Sequence, residues 1–201
     1  MDPFALPEEH CIEIIDFLDG DELYFQDEEQ CGDYEADALQ QCSRGLSRMI
    51  LNNKGQYLVA SKDLIPTFED KTRRQLDCDS VLFMIKLYKN TEGGSLPVAI
   101  QIKSGDKLKS LKCEEKEKKV LLVEGEAPGY IENNRHAMVF YMKVVEDVHD
   151  KYTFQSALWS DWYLAFEPDD SQYKLVLKYM GDEVDGHVDE SVHFELQQKE
   201  K

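Results

Sequence analysis

No lysine or arginine occurs before Arg44, although fourteen of residues 1–37 are Asp or Glu. Subtracting these fourteen from the 41 acidic residues leaves 27 against 23 cations in 38–201, so a strongly anionic segment precedes a nearly balanced body. With a net charge of -18 the chain lacks the cationic surplus that neutralises phosphates, which argues against nucleic acid as a partner. Apolar runs are short too: none reaches the ~18 residues needed to span a bilayer. The opening Met1-Asp2-Pro3-Phe4 has neither the cationic start nor the apolar stretch of a secretory signal. Cytosolic synthesis without membrane insertion is the expectation.

Signatures of catalysis are missing as well. Neither G-x-x-x-x-G-K-[ST] nor G-x-G-x-x-G occurs. The five histidines are scattered; His187 and His193 share a region but no metal or triad spacing, and read as surface or edge-strand residues. Asp169-Asp170 lacks the ligand alternation and closing Glu of a calcium loop. Cys11, Cys31, Cys42, Cys78 and Cys113 show no CxxC spacing, and an odd number argues against a complete disulfide framework. They read as small buried or half-buried thiols. No enzyme activity, cofactor or metal is expected.

Helical periodicity is scarce, and what fills the chain instead is β-rich. Twelve runs dense in Val, Ile, Phe, Tyr or Leu cover 46–51, 56–60, 64–68, 81–88, 97–103, 108–113, 119–123, 137–145, 152–156, 162–166, 173–179 and 191–196. Turn residues separate them, as at Asn52-Asn53-Lys54-Gly55, Ser104-Gly105-Asp106, Pro128-Gly129 and Gly181-Asp182. The runs repeat: Leu58, Leu111 and Leu164 stand 53 and 53 apart, and Phe83, Phe140 and Phe194 stand 57 and 54 apart. Three four-stranded units, each with an apolar face it cannot bury alone, close best around a pseudo-threefold axis with these six side chains inward. The predicted fold is an all-β, twelve-stranded β-trefoil over 38–201, with a sandwich of similar strand count as the alternative. In the acidic segment, apolar-bearing runs at 11–18 and 22–26 flank Asp19-Gly20, a hairpin signal. A lone two-stranded hairpin is marginal in water, so this one is expected to dock on the body.

Two tetrapeptides read as protease substrates. Tyr34-Glu35-Ala36-Asp37 followed by Ala38 has the bulky residue, Glu, Asp and small following residue that an inflammatory caspase prefers, and it lies where the charge changes. Asp182-Glu183-Val184-Asp185 before Gly186 is a sequence executioner caspases prefer, in the connection to the last strand. The stretch 103–119 carries Lys103, Lys107, Lys109, Lys112, Lys116, Lys118 and Lys119 beside four acidic residues. It reads either as a surface steering an acidic partner or as lysines protecting strand edges.

Several of these residues together resemble the interleukin-1 superfamily of cytokines over nearly the whole chain. The resemblance is carried by Phe68-Glu69-Asp70, the run 81–90 leading to Pro97-Val98-Ala99-Ile100, Leu111-Lys112-Cys113-Glu114, Phe154-Gln155-Ser156, the run 162–167 and Tyr173-Lys174-Leu175-Val176-Leu177-Lys178. Cys11-Ile12 and Leu23-Tyr24-Phe25 are similar to the family's prosegment. The resemblance implies a propeptide at 1–37 and a monomeric trefoil cytokine at 38–201, held in the cytosol, activated by an inflammatory caspase at Asp37 and secreted without a signal peptide. It further implies a two-chain immunoglobulin-like receptor, interferon-gamma induction with NF-kappa-B-type signalling, and a soluble inhibitory binding protein as a further partner. Receptor contacts by neighbourhood would be Lys71 and Arg73 after Phe68-Glu69-Asp70, Arg48 on the first-strand face, Lys116 and Ser171. Open alternatives are a superfamily member of interleukin-1β type with a different receptor pair, or a trefoil inhibitor or lectin-like module, to which Trp159 and Trp162 hint.

Overall fold

The computed structural model describes residues 11–17, 23–28, 38–60, 64–76, 79–89, 95–145, 150–181 and 189–199. All twelve expected runs are strands, and three further strands join them. In chain order these are β1 (Cys11–Phe17), β2 (Leu23–Glu28), β3 (Leu39–Asn52), β4 (Tyr57–Val59), β5 (Thr67–Glu69), β6 (Phe83–Lys89), β7 (Leu96–Ser104), β8 (Lys107–Cys113), β9 (Val120–Glu124), β10 (Tyr130–Ile131), β11 (Phe140–Val144), β12 (Lys151–Ser156), β13 (Trp162–Asp169), β14 (Gln172–Tyr179) and β15 (Phe194–Gln197). Short 3-10 turns at Arg73–Gln75, Asp79–Val81 and Glu190–Val192 carry no helical periodicity long enough to show in the sequence.

Six strands pair antiparallel in the cyclic order β3, β6, β7, β11, β12, β15 and back to β3, which closes a barrel. Closure removes the unpaired edges that an open sheet of this size would expose. Outside the ring stand three hairpins, β4–β5, β8–β9 and β13–β14, one from each repeat. They meet one another: β5 pairs with β14, and Leu122 N–H donates to Leu64 O at 2.6 Å. The fold is a β-trefoil.

The repeat read from the sequence is its axis. Leu58, Leu111 and Leu164 are 1%, 0% and 2% exposed, and Phe83, Phe140 and Phe194 are buried as completely. Together with Ile50, Ile100 and Phe154 the three leucines line a void of about 10 Å³. That is at the lower limit for one water, and an all-apolar wall offers a water no hydrogen-bond partner.

Two departures from the sequence reading concern the start of the body. β3 begins at Leu39 rather than 46, because its first half carries a bulge: the partners of Gln41 and Gly45 on β6 are Tyr88 and Lys86, so the alternation that marks a strand is broken. Gly45 belongs there because a Cβ would stand 3.3 Å from the Ile85 carbonyl oxygen. The second departure is β10, which pairs Tyr130 with Gln40 and Ile131 with Leu39. In the acidic segment β1 and β2 pair antiparallel, with Ile14 opposite Phe25, and β1 comes close to β6. The Asp19-Gly20 turn lies outside the described residues.

Candidate functional site

Tyr34, Glu35, Ala36 and Asp37 lie outside the described residues, but the chain directly after Asp37 is tightly held. Ala38 is 8% exposed and Leu39 0%. Gln40 faces Lys89 of β6 on one side and Tyr130 of β10 on the other, and Gln41 N–H donates to Gly129 O at 2.8 Å. Leu39 belongs to a small apolar core separate from the barrel core, formed with Tyr88, Ala99, Ala127, Ile131, Val139 and Ala157. The Tyr88 hydroxyl donates to Pro128 O at 2.7 Å. Burial, with the Glu126 charge beside it, pushes that phenol up to about 12, so it stays a donor through the physiological range.

Asp185 and Gly186 also lie outside the described residues, as does His187, while the chain that follows is anchored. Asp189 caps the turn Glu190–Val192 by accepting from Ser191 N–H at 2.9 Å, and it forms an ion pair with Lys178 of β14. The Asn53 amide donates to Glu190 Oε2 at 3.0 Å, tying the same turn to the β3–β4 connection. His193, read from sequence as a surface or edge histidine, is instead buried between this turn and β15 at 7% exposure.

The residues expected to contact a receptor fall into three places. The register Tyr173–Phe68 sets the chain leaving β5 beside the turn entering β14, so Lys71, Arg73 and Ser171 share one end of the molecule. There Arg73 and Ser171 are exposed, whereas the Lys71 ammonium is held by Glu69 at 2.6 Å and the Lys71 side chain is only 15% exposed. Arg48 departs from its expected surface position: it is 9% exposed on β3, with Nη1 donating to Ser47 O at 3.0 Å. Its place in β3 between β6 and β15 folds the side chain against the barrel. Lys116 is exposed in the β8–β9 connection, apart from the other three.

Three of the remaining six lysines of 103–119 are engaged. Lys107 pairs with Glu124 across β8–β9 at 2.9 Å and Lys119 pairs with Glu117. Lys118, at φ 50°, places its ammonium 4.3 Å from the Trp162 ring centroid and 5.2 Å from that of Trp159. The two tryptophans are therefore covered by a cation of their own chain. The His136 Nδ1 accepts from Met138 N–H at 3.2 Å, and burial with the Lys112 charge holds this imidazole below its usual 6.5. Cys113, fully buried against Ser156, has its thiol pushed up to about 11, and Cys42 is half-buried. Among the described residues no group of three His, Cys, Asp or Glu is placed to hold a metal ion.

Comparison with known proteins adds to this geometry. The family model described as Interleukin-1 / 18 matches residues 75–188. Interleukin-18 of Capra hircus is 30% identical over 197 residues, covering 94% of this chain and 95% of that protein. Interleukin-18 of Mus musculus is 31% identical over 198 residues with 96% of both covered, and that of Homo sapiens 29% over 201 residues with 96% and 97% covered. Among solved structures, chicken interleukin 1 beta superposes with a TM-score of 0.57 at 17% identity, over 80% of this chain and 99% of that one, a likeness of fold.

Proposed function

The chain belongs to the interleukin-1/18 family and is a cytokine, and on that premise we propose that it is made as a latent precursor whose acidic leader, residues 1–37, is removed by an inflammatory caspase cutting between Asp37 and Ala38. The observation that carries this reading is the extent of the likeness to interleukin-18, about 30% identity over 94–97% of the chain, leader included. The charge step at the same boundary supports it: fourteen acidic residues and no cation before Ala38. The mature domain, 38–201, bridges two immunoglobulin-like receptor chains and induces interferon-gamma, and the precursor stays in the cytosol until it is cut. Arg73, Lys71 and Ser171, gathered at one end, are the first residues to test as receptor contacts, with Lys116 as a separate one.

Latency follows from docking. The leader hairpin β1–β2 comes close to β6, a stave of the barrel. A docked state preferred by about 3 kcal/mol leaves under about 1% of molecules competent, and apparent affinity falls in the same proportion. Receptor affinity measured on the uncleaved chain and on its caspase product tests this: the product binds tighter by about two orders of magnitude. Equal affinities overturn the proposal.

A further inference from the structure

Resting on that reading of Asp37 as the cut site, we infer that β10 is a clasp controlling the cut, because it holds the residues a protease must engage on the far side of the bond. Endoproteases take their substrates as extended strands, using backbone hydrogen bonds on both sides of the scissile bond, and the reacting atoms must come within about 3–3.5 Å. In this chain Ala38 is 8% exposed and Leu39 is wholly buried. β3, which begins at Leu39, has β10 beside it from that residue and β6 beside it from Gln40. Ile131 and Tyr130 of β10 face Leu39 and Gln40, while Lys89 and Tyr88 of β6 face Gln40 and Gln41. A protease and the sheet compete for the same backbone.

The clasp is built to open separately from the barrel. β10 is only two residues long and, among the described residues, pairs with β3 alone. Leu39 packs in the small core with Tyr88, Ala127 and Ile131, not in the barrel core around Phe83, Phe140 and Phe194. Two further ties hold the segment 125–131 down, the Tyr88 hydroxyl on Pro128 O at 2.7 Å and Gln41 N–H on Gly129 O at 2.8 Å. Releasing Ala38–Gln41 therefore breaks the β10 contacts and the two end pairs with β6, and leaves the β3–β6 pairs from Gly45 to Arg48 to close the ring. Hydrolysis then adds one water across the freed bond, giving a new carboxylate on Asp37 and a new amine on Ala38. When opening and reclosing are fast, the rate of cutting tracks the population of the open state.

The test uses the full chain and an inflammatory caspase, following the new terminus at Ala38. Ile131→Ala removes the apolar contact under Leu39, and Tyr88→Phe removes only the bond to Pro128, so the second variant keeps the packing if the first folds poorly. Amide exchange at Leu39, Gln40 and Gln41 reports opening, and exchange at Ile100 and Gln101 reports the barrel. The expected result is faster cutting, by at least about tenfold for Ile131→Ala and by a smaller factor for Tyr88→Phe. Exchange should rise at 39–41 in the same order and stay unchanged at 100–101. Cutting at the wild-type rate despite faster exchange at 39–41 overturns the clasp. A peptide spanning 32–44 separates the two claims: a peptide that is not cut removes the site itself, and the clasp with it.

Discussion

Around Phe194 four aromatic rings meet. Its centroid lies 6.0 Å from Phe68, 5.9 Å from Phe154 and 6.2 Å from Phe166, and it is 1% exposed. Such offset and edge arrangements add to the burial itself. Phe194→Ala should cost about 3–5 kcal/mol in denaturant unfolding of the full chain, whereas Val144→Ala, on a side chain 55% exposed, should stay within about 0.5 kcal/mol. Similar losses from the two would refute the axis as the centre of stability. Asp189 supplies a pH signature. Burial pushes its carboxyl up, but hydrogen bonds from Lys178 and Ser191 and the Lys178 charge outweigh it and hold the group down at about 2, below its ordinary 3.8. A folded value below the unfolded one stabilises above about pH 4, and that contribution is lost as pH falls toward 2. Unfolding midpoints of wild type and Asp189→Asn should therefore differ near neutrality and converge in acid; a gap independent of pH removes the ion pair as the cause. The axial leucines and phenylalanines were legible in the sequence because a period of about 53 exposes them. The partners of Tyr88 and Asp189 were not, since Pro128 O lies 40 residues along the chain and no local pattern announces a carbonyl as an acceptor.

Strands were legible wherever an apolar run alternates between turn residues, and that covers the twelve strands of the three repeats. The first half of β3 was hidden because Gln40-Gln41-Cys42-Ser43-Arg44-Gly45 has no apolar alternation and its bulge breaks the period. β10 was hidden because two residues, Tyr130 and Ile131, are too few to show any period. Both are held as strands by their neighbours and not by propensity, which is how tertiary context overrides a weak local signal. The same limit applies to the candidate site. Lys71 and Arg73 stand nearly a hundred residues from Ser171, and the β5–β14 pairing that joins them is a product of the hairpins meeting. Arg48 shows the converse error: a cation in a strand reads as solvent-facing, yet β3 runs between β6 and β15 and turns it against the barrel.

Viewed whole, the molecule is a ring of six staves, and its last stave is the most exposed to a single cut. β15 is four residues long and completes the ring by pairing with both β12 and β3. The sequence Asp182-Glu183-Val184-Asp185 stands before it, so hydrolysis after Asp185 would leave β15 attached by non-covalent contacts alone. Those contacts include the two strand pairings, the Lys178–Asp189 and Lys151–Glu195 ion pairs, the Asn53–Glu190 bond and the packing of Phe194. The intact chain presents β15 to its slot at the high effective concentration of a tether, which a cut abolishes. Departure of β15 would open two unpaired edges, on β3 and β12, and empty the aromatic centre. The expected outcome of treating the mature form with an executioner caspase is a fragment beginning at Gly186, a lowered unfolding midpoint and loss of signalling on receptor-bearing cells. An intact chain under conditions that cleave a control substrate refutes the site. A clean cut that leaves signalling at full strength refutes the inactivation, because the docked fragment would then hold the barrel closed without its covalent link.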